Sequence, residues 1–139
     1  MVHHIAQSIY EAISFKKGEQ PDFNNLKSYF ITQGLFINNK GEEPMVKPVD
    51  EYITFIKTLI NAGTVLCLEE SEISSDIQLF GKVGTITSQY KLDFETSSGS
   101  FTRYGVNLFQ VIKHHGQWLV VSMSWDDKEN QELFQSELI

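Results

Sequence analysis

The apolar positions of the first sixty residues recur mostly at helical spacing. Ile5, Ile9, Ala12 and Ile13 fall on one stripe with Tyr10 on its flank, and the pattern stops near Lys17-Gly18, which predicts a first helix. Pro21-Asp22 opens a shorter second helix: Asp22 suits an N-cap, Phe23, Leu26 and Phe30 share a face, and Gly34 supplies the stop. Leu35-Phe36-Ile37 reads as a short strand and Asn38-Asn39-Lys40-Gly41 as a turn, with a loop around Pro44 and Pro48 as a lid or rim. Asp50 then caps a third helix, in which Val49, Tyr52, Ile53, Ile56, Leu59 and Ile60 hold the 3.6 period until Asn61-Ala62-Gly63.

After Gly63 the period changes from 3.6 to 2. Strands are expected over 64–73, 77–95, 101–114 and 117–126, separated by Ser74-Ser75-Asp76, Ser97-Ser98-Gly99-Ser100 and His115-Gly116. Four strands in a meander are the simplest arrangement. The second is long, and its alternation slips from odd positions (Ile77, Leu79, Val83) to even ones (Ile86, Tyr90, Leu92, Phe94), so a bulge is expected between Gly81 and Gly84. The last two strands are apolar on both faces. The helices can cover one face, and the other, with Tyr104 and Trp118, is expected to pack on a second copy of the chain as a homodimer.

Composition narrows the classes. At 139 residues with 41% hydrophobic and 21% charged positions, the chain suits a single domain spanning 1–139, and disorder is excluded. Its apolar runs are far shorter than the roughly 20 residues of a membrane span, so no membrane partner is expected. A net charge of −7 with scattered lysines excludes the positive face that nucleic acid requires. The N-terminal segment has neither a basic region nor a continuous apolar core, and the lone Cys67 sits among Val65, Leu66 and Leu68, so a cytoplasmic location is expected.

The order helix, short helix, short strand, long helix and four long antiparallel strands resembles the NTF2-like (cystatin-like) superfamily over nearly the whole chain. Three stretches carry the likeness: Ile9-Tyr10-Glu11-Ala12-Ile13, Ser28-Tyr29-Phe30 leading to Gly34-Leu35-Phe36-Ile37, and Gly116 to Trp125. The resemblance implies an α+β fold in which three N-terminal helices pack on the concave face of a strongly curved, mostly antiparallel sheet, enclosing a conical pocket. It assigns no chemistry, since the superfamily includes ketosteroid isomerases, SnoaL-type cyclases, epoxide hydrolases, dehydratases and transport factors.

What the resemblance implies about the pocket can be followed residue by residue. Tyr10 matches the isomerases' hydrogen-bonding tyrosine, their donor aspartic acid falls at Asn107, and their base falls near Asn38 or Asn39. Amides cannot accept a proton at neutral pH, although Asn107 can donate to a carbonyl. The cyclases' last-strand aspartate falls at Trp125, with Asp126 and Asp127 beside it. Tyr10, Asn107, Trp125 and Phe109 are therefore the candidate lining of a pocket for a small, mostly apolar ligand. Arg103 is either at the pocket's wide end, orienting a carboxylate or phosphate, or an arginine in water, and Tyr90 is open in the same way. The alternatives are an isomerase, cyclase or dehydratase moving a proton through Asp126 or Tyr10, and a protein-interaction domain using the outer sheet face.

Other polar clusters read as solvated surface. Asp126-Asp127-Lys128-Glu129 is adjacent carboxylates without convergence, and Glu69, Glu70 and Glu72 read as an exposed strand face. His3-His4 and His114-His115 lack zinc-site spacing, so neither a metal nor another cofactor is expected. The tail, about 128–139, with Leu133, Phe134, Leu138 and Ile139, is either a dimer arm or a frayed end.

Overall fold

The computed structural model describes residues 2–126; the tail and the Asp127 to Glu129 cluster lie outside the described residues. A 3₁₀ turn at Val2–His4 leads into α1 (Ile5–Ile13), followed by α2 (Phe23–Ser28), β1 (Phe30–Asn38), β2 (Met45–Pro48) and α3 (Val49–Asn61). Four long strands complete the chain: β3 (Cys67–Phe80), β4 (Val83–Thr96), β5 (Gly99–His114) and β6 (Gln117–Trp125). One mixed sheet in the order β2-β1-β6-β5-β4-β3 results, antiparallel except where β1 runs parallel to β6. Only α1 and α2 precede the sheet, because β1 and β2 come before α3.

Local chemistry explains where the elements start and stop. Asp22 caps α2 by accepting the Asn25 N–H at 3.1 Å. This helix ends earlier than its apolar face suggests: the Val120 N–H donates to the Tyr29 carbonyl at 2.8 Å, drawing the chain alongside β6, so Phe30 opens a strand. Gly34 is consequently a strand residue, where a Cβ would stand 2.9 Å from the Phe30 ring. The stretch expected as a loop is strand β2, paired with Leu35–Asn38 at the sheet edge, where proline is tolerated.

The turn expected at Ser74-Ser75-Asp76 does not form. β3 runs through it with a register shift between Glu72 and Ser74, and the hairpin closes at Gly81-Lys82, where a bulge was expected. Gly81, at φ +60°, takes the first position of a two-residue turn, a place that favours glycine; a Ser-Ser-Asp segment has no such residue.

α1 packs on β3 and α2, and α3 packs on β1 and β2. Their apolar faces meet Phe36, Ile86, Phe109, Val111, Val120 and Met123 in one core on the inner side of the sheet. Trp118, expected on the outer face, packs against this core instead. A register shift between Gln110 and Val111 moves β6 by one residue, which places Trp118, Val120 and Met123 on the same side.

Candidate functional site

The interior contains a polar group of three side chains: Tyr10 and Ser88 at 0% exposure and Asn107 at 2%. Tyr10 comes from the inner side of α1, and Ser88 and Asn107 are direct partners across β4 and β5. The Tyr10 hydroxyl donates to Ser88 Oγ at 2.8 Å, and the Ser88 hydroxyl donates to Glu72 Oε2 at 2.6 Å. Asn107 Nδ2 donates to the Tyr10 oxygen at 3.0 Å and, through a long bond of 3.4 Å, to Glu70 Oε2. A directed chain therefore runs from amide to phenol to hydroxyl to carboxylate.

α1 also fixes the strand that supplies the carboxylates. Ser14 Oγ, just past the end of α1, accepts the Glu70 N–H at 2.9 Å and Gln7 Oε1 of α1 accepts the Glu72 N–H at 3.0 Å, so these side chains satisfy this stretch of an edge strand. Burial, reinforced by the nearby Glu70 charge, pushes the Tyr10 phenol far above its ordinary pKa, and the Ser88 and Asn107 hydrogen bonds offset only part of this. Tyr10 is consequently neutral at physiological pH and acts as a hydrogen-bonding group.

Four of the residues expected at the pocket come together here. The Tyr10 ring lies 6.3 Å from both Tyr90 and Phe109, next to Asn107. Tyr90 lies flat across β5 because residue 105 is glycine: a Cβ there would come within 2.5 Å of the phenolic oxygen. Trp125 pairs with Asn107 across β5 and β6, but its ring packs edge-on against Tyr52 at 6.1 Å and Phe36 at 6.3 Å. Arg103 stands apart from the group, exposed, with its guanidinium 5.4 Å from the Phe94 ring centre. Asp126 lines an outer-side cavity of about 860 Å³ with Asn39, Pro44, Gln89 and Leu108. A second cavity, of about 650 Å³, lies where β3, β4 and β5 meet the segment after α1, beside Phe15, Phe94 and Phe101.

Ser88, Glu70 and Glu72 were not among the residues singled out from sequence. Ser88 shares the parity of Ile86 and Tyr90, so a small polar residue within an apolar stripe was the available signal. The two glutamates face inward, contrary to the exposed face expected for them, and acidity therefore reaches the interior. Among the described residues, no three His, Cys, Asp or Glu side chains gather as a metal site. No helix among them is long and apolar enough to cross a membrane.

This arrangement of helices on one side of a mixed sheet is found in known structures. A Nostoc punctiforme protein of unknown function with a cystatin-like fold is similar, with a TM-score of 0.68 and 14% identity, covering 95% of this chain and 92% of that one. An NTF2-like protein of unknown function from Pseudomonas putida has a TM-score of 0.66 and 10% identity over 94% of this chain and 88% of its own. The association domain of C. elegans CaMKII has a TM-score of 0.64 and 14% identity over 90% and 92%. The chain therefore has the NTF2-like, cystatin-like fold. No family model matches the sequence, and no curated protein matches it.

Proposed function

We propose that the chain binds a small, mostly apolar molecule in the cleft between α3 and the inner side of the sheet, the counterpart of the cone expected from sequence. The observation that carries this reading is the incomplete cover of α3. Val49 and Ile53 are buried against the core, while Tyr52, Ile56, Leu59 and Ile60 of the same helix are left partly open, and Leu92 and Trp125 on the sheet are partly open too. Half-covered apolar side chains beside a few fixed polar groups are the usual composition of a ligand site. In native mass spectrometry the purified protein is expected to carry a small molecule, and Ile56→Trp, which fills the cleft, is expected to lose it while keeping the far-UV circular dichroism. Protein that arrives empty and binds no small apolar compound would overturn the reading.

The outer side of the sheet supports a homodimer as part of the same proposal. Leu108 is 51% exposed at its centre, next to Val106, and a structurally similar chain is by name an association domain. Sedimentation is expected to show a dimer that Leu108→Lys converts to monomer; a wild-type monomer excludes this interface.

A further inference from the structure

We propose that the distal half of β3 is a docking edge for a second copy of the chain, joined strand to strand across a two-fold axis, in addition to the outer-face contact. β3 is the last strand of the sheet, and its proximal half is closed within the chain. Leu68, Glu70 and Glu72 stand opposite Phe94, Leu92 and Tyr90, and their N–H groups go to the Phe15 carbonyl at 3.1 Å, Ser14 Oγ at 2.9 Å and Gln7 Oε1 at 3.0 Å. The backbone groups of these residues therefore point away from β4. After the register shift the same set of β4 positions continues as Ser88, Ile86 and Gly84, which face Ser75, Ile77 and Leu79. The backbone groups of these three point to the same open side, and among the described residues nothing there pairs with them.

An open edge is ordinarily guarded by lysine, proline or a covering element. The segment Ile73-Ser74-Ser75-Asp76-Ile77-Gln78-Leu79-Phe80 has Asp76 as its single charge and no proline. Ile73, Leu79 and Val83 are exposed and Phe80 is 86% exposed, so apolar side chains gather at this hairpin as well. The backbone groups call for an extended strand, and the apolar side chains call for one that covers them.

The register of the edge names the occupant. The uncovered stretch, 74–80, is centred on Ile77, so an antiparallel copy turned about Ile77 covers all of it. Ser75, Ile77 and Leu79 then exchange backbone hydrogen bonds with Leu79, Ile77 and Ser75 of the second copy. Asp76 faces Gln78 of the second copy, so the two carboxylates never oppose each other, and Phe80 comes against Ser74 of the second copy, next to Ile73. The turn at Gly81-Lys82 of the second copy arrives opposite Ile73 and stops short of Glu72, where α1 begins to cover the strand. A stretch this short is far below the roughly 20–30 residues a side of a standard interface, so the association is weak and grows with concentration.

The test is sedimentation equilibrium of the full chain over a concentration series, with Leu108→Lys removing the outer-face contact. The mass of Leu108→Lys is expected to climb from monomer toward dimer as concentration rises, and amide exchange at Ser75, Ile77 and Leu79 to slow with it. In that background Ser75→Pro removes an outward donor at an edge that tolerates proline, and is expected to weaken the association at least about tenfold with the far-UV circular dichroism retained. Gln78 is exposed, so its substitutions keep the test should Ser75→Pro unfold. Gln78→Lys sets a cation opposite Asp76 of the second copy and is expected to tighten the association about threefold, and Gln78→Asp to weaken it about threefold. A mass that stays monomeric throughout overturns the proposal and leaves the edge to water or to a strand of another protein. Equal responses to Gln78→Lys and Gln78→Asp overturn it too, since Asp76 then does not face position 78. A wild type that is monomeric when dilute overturns the outer-face dimer alone.

Discussion

The two ends of the interior are built differently. Around Phe36 the side chains are apolar and interlocked: Phe36 stacks on Tyr52 at 3.9 Å, lies 4.8 Å from Phe30 and meets Trp125 edge-on. Around Tyr10 they are joined by hydrogen bonds in series, from Asn107 to Tyr10 to Ser88 to Glu72. The apolar end is held by shape and area, so its loss is felt as a cavity. At the polar end each hydrogen bond adds modest net stability, but an unmatched group costs its full desolvation. An apolar cluster of similar volume would be the cheaper filling at both ends.

Three substitutions separate these two modes. The largest effect is expected from Phe36→Ala, about 3–5 kcal/mol in urea unfolding, because it empties the middle of the aromatic stack. A loss below about 1 kcal/mol would mean that the apolar end repacks freely and that the contrast drawn here is wrong. Gly105→Ala follows, at about 1–3 kcal/mol, since the added methyl must displace the Tyr90 ring. Its effect should largely disappear in a Tyr90→Leu background, and a double-mutant cycle tests that directly.

The smallest effect at neutral pH, about 1–2 kcal/mol, is expected from Tyr10→Phe, which removes one acceptor and one donor from the chain of bonds. This substitution has a second signature. Tyr10 ionises near pH 10 in the unfolded chain and well above that in the fold. Above about pH 10 the unfolded state therefore holds fewer protons, and stability falls as pH rises. Tyr10→Phe should make that decline shallower by up to about 1.4 kcal/mol per pH unit. Identical slopes for wild type and variant would show that the phenol is not held neutral.

Much of the fold was legible from residue spacing, and the exceptions have specific causes. The limits of α1 and α3 and the presence of four long strands in a meander follow from periodicity, although the hairpin between β3 and β4 closes at Gly81-Lys82 and not at the turn residues Ser74-Ser75-Asp76. The start of β1 depends instead on β6, some ninety residues later, whose Val120 N–H draws the Tyr29 carbonyl out of the helix. The face of Trp118 depends on a register shift against β5, and on a strand one residue of shift exchanges inside for outside.

For the candidate site, Tyr10 and Asn107 were recognisable through the family resemblance, and Tyr90 and Phe109 through their place on the apolar stripes of their strands. Glu70 and Glu72 were not, because alternating carboxylates next to a strand edge look solvated until a helix is laid beside them. Local periodicity by itself thus determined which residues form α1 and α3 and that four long strands follow them. Only the tertiary structure decided which faces turn inward and where each polar proton goes, since a hydrogen bond such as Asn107 to Tyr10 joins residues 97 positions apart and no local pattern records it.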